Sequence, residues 1–476
     1  MPAPDPAASA AREADRVEES AGRQLAPSPE FLDRVRRVRE SLVEKVEAAA
    51  HARNSPLVRA LVAGSAARGT FLTDRLDVDL FLLFPPDLPR ERLRAEGLAL
   101  GGAVLTDTRV RYAEHPYLRG SFEGFTVDAV PGYAVSDPAR PLSPVDRTPF
   151  HQEYLSARET PELVGQVRLA KQFLRRLGIY GSEARTEGLS GYLVELLVLR
   201  FGSLRGLLGA ARSWRIPVRL ADPGREPPRL PADVALILAD PVDPNRNVAS
   251  ALSRRNLATL ILAAGAYLDR PTDLWFSAPS SPPFTRADAE HRIGERHSHV
   301  TVVVLPRPDL VDDTLYPQVR KAERTLAEEL GRSGFAVLGS AAGADPERVY
   351  LLVEVAHALR SPVRQRDGPP AGIDRVGQFL EKWGVGNDEV LQGPFVREDG
   401  SLAVESRVAV REAEGALRAA LPRLSLGKDL TPRDPGTAEV RPLREIADSP
   451  AVTEALRALL AKQLPWLGPE RPPSRR

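Results

Sequence analysis

The stretch Leu61 to Phe84, LVAGSAARGTFLTDRLDVDLFLLF, constrains this chain more than any other. It predicts an apolar strand ending at Gly64, a Gly-Ser turn into a short helix, and a second strand in which Asp77 and Asp79 precede the apolar run Leu80 to Phe84. Side chains alternate faces along a strand, so two aspartates separated by one residue point the same way. Like charges held together at the head of a hydrophobic strand need a cation, and a divalent metal is the usual one. A further predicted strand, Phe125 to Val130, carries Asp128, which brought alongside would complete a site for two Mg²⁺ ions. An isolated Asp-x-Asp is most often a solvated pair. Here Gly64 and Ser65 add backbone N–H groups and a hydroxyl at a strand-to-helix turn, a cradle for phosphate. Arg68 follows one turn later, and the combination describes nucleotidyl transfer.

Gly64-Ser65, Arg68-Gly69-Thr70 and Asp77-x-Asp79 resemble the signature of the polymerase β-like nucleotidyltransferases. Three longer strings, Tyr112 to Tyr117 (YAEHPY), Val127 to Pro131 (VDAVP) and Asp146 to His151 (DRTPFH), resemble the archaeal-type, class I, CCA-adding enzymes, which are tRNA nucleotidyltransferases. Gly188 to Leu197 and Asp240 to Val248 match the same family. The resemblance implies an α+β multidomain chain. Its parts are a polymerase β-like nucleotidyltransferase head with a small mixed sheet and helices, a helical neck, an α/β body and a small βαββ-type tail. It also implies template-independent addition and repair of the 3′-terminal CCA of tRNA from CTP and ATP, with release of pyrophosphate.

A chain of 476 residues is long for one core. The first 27 residues, rich in Ala and Pro and without a signal-peptide apolar region, read as a disordered arm on a cytoplasmic protein. Ser28-Pro29 is a helix N-cap followed by proline at the first helical position. The head is expected over 28–144, the neck over 145–215 and the first part of the body over 216–297, with a Pro- and Arg-rich loop from Arg219 to Pro231. A strand–helix–strand–strand order then places the tail over 298–392. The second part of the body and a C-terminal extension take 393–476, and the terminal Arg-Pro-Pro-Ser-Arg-Arg is expected to be loose. No cysteine is present, which excludes disulfides, thiolate zinc sites and cysteine nucleophiles. The longest apolar run, Leu257 to Leu268, is too short to span a bilayer. A net charge of +1 leaves room for a basic groove balanced elsewhere.

Asp77, Asp79 and Asp128 are thus the candidate catalytic and metal-binding residues. The resemblance assigns Gly64, Ser65 and Arg68 to the triphosphate, Lys171 and Tyr180 to the terminal phosphates, and Thr148 and His151 to ribose or phosphate. It makes Arg246 the reader of the base, because a guanidinium can meet acceptors on both cytosine and adenine. The family often has glutamate where Asp77 stands and tyrosine where Ala66 stands. The implied partner is tRNA, held by its acceptor arm and T arm, with no DNA template and no membrane; a homodimer is left open. Arg292, Arg296 and Lys428 are candidate RNA contacts from composition. A poly(A) polymerase or oligoadenylate synthetase would share the carboxylate signature but not the longer strings. An aminoglycoside-type nucleotidyltransferase would lack the RNA-holding domains, and a non-catalytic RNA-binding relative need not retain all three carboxylates.

Overall fold

The computed structural model describes residues 6–74, 76–112, 116–221, 234–277, 283–432 and 434–467. It divides into two compact units, one of Met1–Ser281 with Val311–Asp313 and Leu464–Arg476, the other of Pro282–Leu310 with Thr314–Gln463.

The first unit opens with a helix, α1 (Pro6–Leu25), where a disordered arm was expected. Ala14, Val17 and Ala21 recur at helical spacing and are buried. Val17 and Ala21 join an apolar cluster that otherwise runs from Leu155 to Phe276. The buried Glu18 accepts hydrogen bonds from Arg205 at 2.9 and 3.1 Å and from the Tyr267 hydroxyl at 2.9 Å. Alanine-rich composition therefore marks a docked amphipathic helix here. Helix α2 (Pro29–Ala52) begins as expected, with the Ser28 hydroxyl accepting from the Phe31 N–H.

Next come β1 (Arg59–Ala63), the five-residue α3 (Gly64–Arg68), β2 (Asp77–Phe84), α4 (Arg90–Val104), β3 (Thr106–Tyr112), β4 (Pro116–Phe122) and β5 (Phe125–Tyr133). Residues 113–115, part of the string Tyr112 to Tyr117, lie outside the described residues. The strands form one sheet in the order β1-β2-β5-β4-β3, with β2 and β5 parallel and the other neighbours antiparallel. Strand alternation sorts its faces. Val78, Leu80, Leu82, Phe84, Val127 and Ala129 pack with Val35, Val38 and Leu42 of α2 and Leu93 and Leu100 of α4. Asp77, Asp79 and Asp128 are thereby turned to the face away from these helices.

The rest of this unit is mostly helical: α5 (Thr148–Ser156), α6 (Pro161–Arg176), α7 (Gly191–Phe201), α8 (Leu204–Ala211) and α9 (Arg254–Asp269), with the short parallel pair β6 (Val218–Leu220) and β7 (Leu236–Leu238). Helix α7, apolar almost all round, is buried from Leu193 to Val198, and Ser190 caps it through the Leu193 N–H. The loop expected from Arg219 to Pro231 lies, beyond Ala221, outside the described residues, as does the C-terminal hexapeptide.

The second unit contains α10 (Arg286–Arg296), β8 (His299–Pro306), α11 (Asp312–Arg332), β9 (Val337–Ala344) and β10 (Arg348–Val355), which is the expected strand–helix–strand–strand order. Then follow β11 (Val363–Pro370), α12 (Arg375–Trp383), β12 (Val390–Val396), β13 (Ser401–Arg407), α13 (Ala413–Ala420), β14 (Glu439–Pro442) and α14 (Pro450–Leu460). The expected boundaries need correction. Strand β14 pairs with β8, so the sheet β14-β8-β10-β9 draws on segments assigned to both tail and body. A break at 392/393 falls inside β12, which pairs with β13 across the Asp399-Gly400 turn into a separate sheet, β11-β13-β12. Arg292 and Arg296 each have a partner within the chain. Arg296 is bonded to the buried Glu354 at 2.7 and 3.1 Å, and Arg292 donates to the Leu460 carbonyl at 3.0 Å; Lys428 is exposed. No helix among the described residues is long and apolar enough to cross a membrane.

Candidate active site

One row of residues crosses the head sheet in strict register. Ala63 stands opposite Asp79, Asp79 beside Asp128, Asp128 opposite Arg119, and Arg119 opposite Arg109. Directly paired residues share a face and lie about 5 Å apart, so the three aspartates converge as β2 and β5 run side by side. Gly64 closes the other side of Asp79. A β-carbon there would stand 2.6 Å from Asp79 Oδ2, and the backbone has φ +71°, so this turn admits glycine for both reasons.

Burial and the neighbouring charges of Asp128 and Asp77 push the Asp79 carboxyl up to about 7. The excess negative charge is answered by a residue that sequence reasoning missed. Arg119 donates from Nε to Asp128 Oδ1 at 2.7 Å and from Nη2 to Asp128 Oδ2 at 2.6 Å, and it reaches Asp77 Oδ2 at 3.3 Å. Among the described residues no group of three or more carboxylate, histidine or cysteine side chains is arranged, as it stands, to hold a metal ion. The donor chemistry nonetheless fits one. Three carboxylates share one face, one of them resists ionisation because it is buried and the other two are close, and Arg119, with Arg68 further off, compensates them.

A second cluster lies where α3 meets α6 and α7. Lys171, almost fully buried, donates to Glu195 Oε1 at 2.8 Å and to the Thr70 hydroxyl and carbonyl at 3.1 and 3.0 Å. Arg68 bonds Glu195 Oε2 at 2.5 Å and Gln152, and it pairs with Glu159 at 3.5 Å. Burial opposes the charge on Glu195, yet Lys171 and Arg68 hold it below the usual carboxylate range. Glu159, desolvated and beside Glu195, is pushed up to about 7. Arg68 Nε and Glu159 Oε1 are buried without a hydrogen-bond partner. The Tyr180 hydroxyl and Lys171 Nζ both approach Gly191, within 3.3 and 3.8 Å of where its β-carbon would be.

The third cluster centres on Asp240, which is fully buried. His151 Nε2 lies 2.8 Å from its Oδ2, Arg246 Nη1 donates to the same oxygen at 2.7 Å, and the Tyr192 hydroxyl donates to Oδ1 at 3.0 Å. Burial favours the neutral form of Asp240, but the His151 and Arg246 bonds and the Val242 N–H hold it at about 2. The His151 and Tyr192 rings stack at 4.1 Å.

Family models match the chain in three places: a nucleotidyltransferase domain over residues 36–151, the second domain of tRNA nucleotidyltransferase over 165–277, and the C-terminal domain of CCA-adding enzyme over 296–433. A CCA-adding enzyme of Haloarcula marismortui is 41% identical over 83% of this chain and 87% of its own length. That of Halobacterium salinarum is 39% identical over 88% and 92%, and that of Thermoplasma acidophilum 32% over 85% and 90%. The chain belongs to the CCA-adding enzymes. As a member it is a tRNA nucleotidyltransferase, and its reaction is CCA addition to tRNA.

Within this CCA-adding enzyme the predicted residues fall into those three groups. Asp77, Asp79, Asp128 and Gly64 meet at the sheet row, with Ser65 next to Gly64 on α3. Arg68, Lys171 and Tyr180 belong to the second group, and both cations in it are already paired with carboxylates. His151 and Arg246 join through Asp240, while Thr148, half-buried, begins α5. Arg119, Glu195 and Asp240 were not singled out by sequence reasoning. Glu195 and Asp240 stood inside matched strings, and a buried carboxylate in an apolar helix such as α7 is itself a sign of a buried cation partner.

Proposed function

We propose that this CCA-adding enzyme extends tRNA lacking its terminal trinucleotide with CTP and then ATP at Asp77, Asp79 and Asp128, in the cytoplasm. The observation that carries the reading is the cross-strand register of Asp79 with Asp128, flanked by the Gly64 turn on one side and Arg119 on the other. Two Mg²⁺ ions held by the three carboxylates would lower the pKa of the RNA 3′-hydroxyl and neutralise the triphosphate. The 3′-oxygen forms its bond to the α-phosphorus as the α–β bridge breaks, and pyrophosphate departs. No side-chain nucleophile takes part.

The Gly64-Ser65 turn receives the triphosphate. Arg68 lends its positive charge to the triphosphate, and its ties to Glu195, Gln152 and Glu159 fix where its guanidinium stands. Lys171 and Tyr180, meeting at Gly191, form the second side of the phosphate pocket. Arg246 reads the base edge with the donors not engaged by Asp240, and Asp240 orients it. His151, Thr148 and Tyr192 take the ribose side. The acceptor and T arms supply the RNA contacts, recognised by shape and phosphate.

The test is tRNA lacking its last three nucleotides, offered each nucleoside triphosphate alone and in pairs with Mg²⁺. Extension by C with CTP alone, and completion only when ATP is added, is expected; an adenylate polymerase would extend with ATP alone. Arg246→Ala should admit UTP and GTP, and a variant as selective as wild type would remove Arg246 from base reading.

A further inference from the structure

The charged row of the head does not stop at the carboxylates. Beyond Asp128 it continues through Arg119 to Arg109 on the edge strand β3, and Arg111 lies two residues along on the same face, paired with Tyr117. Like charges directly opposite one another in a sheet are destabilising. Arg119 has Asp128 and Asp77 to compensate it. Arg109 and Arg111 are exposed and have no carboxylate partner among the described residues. Together with Asp107, Gly120 and Ser121, the three arginines line a cavity of about 250 Å³.

We propose that Arg109, Arg111 and Arg119 form a binding row for the phosphodiester backbone of the RNA 3′ strand. This rests on the CCA-adding reading and extends it to the side of the site where the primer enters. The order across the sheet decides which substrate lies there. The glycine turn that receives the triphosphate adjoins Asp79 from β1, so the 3′-hydroxyl must reach the aspartates from the opposite direction, over β4 and β3. Arg109 stands two strands from Asp128, about 10 Å at the usual strand separation, the reach of the last few nucleotides. Arg109 and Arg111 are about 7 Å apart along β3, close to the separation of successive phosphates on a nucleotide strand. A row of that pitch suits a strand, and Asp107 on its rim disfavours a small free anion.

The experiment measures equilibrium binding of tRNA lacking CCA to full-length protein by fluorescence anisotropy over a salt series. Arg109→Ala/Arg111→Ala should weaken binding several-fold and lower the log–log salt slope by about 1.5, from roughly 0.7 to 0.9 per phosphate contact. Arg109→Lys/Arg111→Lys keeps the charges and should restore most of both, which a merely structural role for the guanidinium groups would not. A second arm follows inhibition of CTP incorporation by inorganic pyrophosphate, which should be unmoved. Unchanged RNA affinity and slope in the alanine variant would overturn the proposal, and so would a loss confined to pyrophosphate inhibition. Either failure is separable from failure of the CCA-adding reading, which is decided by C incorporation in the wild-type protein.

Discussion

Arg119 is where residue-scale chemistry is most exposed to test. A metal ion reaching Asp128 must compete with two short charge-assisted bonds from this guanidinium. If Arg119 acts as a resident counter-cation, Arg119→Ala should bind Mn²⁺ more tightly in the absence of nucleotide, by about tenfold for each 1.4 kcal/mol of lost competition. If it instead orients Asp128 toward the metal, the same variant should bind Mn²⁺ more weakly. Competition is the expected outcome, read by electron paramagnetic resonance of free Mn²⁺, with Arg119→Lys intermediate. The aspartates were legible in the sequence because alternation along a strand is local: Asp77 and Asp79 share a face whatever else the chain does. Arg119 was not legible, because its contact with Asp128 depends on the register of β4 against β5, and β4 itself was not recognised. Lys171 shows a different limit. Its position was found from the strings around it, but its burial against Glu195 depends on how α6 packs on α7.

At the scale of elements, α1 is the clearest divergence between composition and structure. Its first residues look like low-complexity sequence, and alanine offers little hydrophobic signal, yet Ala14, Val17 and Ala21 form a buried stripe, and Val17 and Ala21 reach the apolar cluster of the helical region that follows the sheet. Glu18 adds a buried charge with three hydrogen bonds, a feature no solvated arm would carry. Removing residues 1–27 should therefore lower the melting temperature, with Arg205 and the Tyr267 hydroxyl losing their partner. Glu18→Ala alone should reproduce part of the effect, on the order of 1–2 kcal/mol, since it leaves the buried Tyr267 hydroxyl without its acceptor while Arg205, partly exposed, keeps Asp15. Thermal unfolding followed by tryptophan fluorescence checks this, and an unchanged midpoint in both variants would return the segment to a loose arm. Helices α2 and α7, by contrast, were legible from a capping serine and an apolar pattern, both of which act within a few residues.

For the whole molecule, the sequence showed the order of many of the elements but not which distant segments share a sheet. The pairing of β14 with β8 joins residues more than a hundred positions apart, and nothing local announces it. Ionisation also shows itself only at this scale, through its sum over the first unit. Asp79 and Glu159 are both raised to about 7, by burial and by neighbouring carboxylates, while Asp240 is held at about 2. Between about pH 4.5 and 7 the folded state therefore binds protons that the unfolded chain has released, so metal-free stability should fall as pH rises through this window. Asp240 acts in the opposite sense and lower down, its contribution being present above about pH 4 and lost as pH falls toward 2. The summed contribution of these three groups to metal-free stability should thus be greatest near pH 4 to 5. Saturating Mg²⁺ should remove the part of the neutral-side decline due to Asp79, since a bound cation favours its charged form, and leave the part due to Glu159. Urea midpoints across pH, with and without Mg²⁺, separate the two. Asp79→Asn should abolish the metal-sensitive part and Glu159→Gln the remainder, and a decline that Mg²⁺ leaves untouched would mean that the cation does not bind at Asp79.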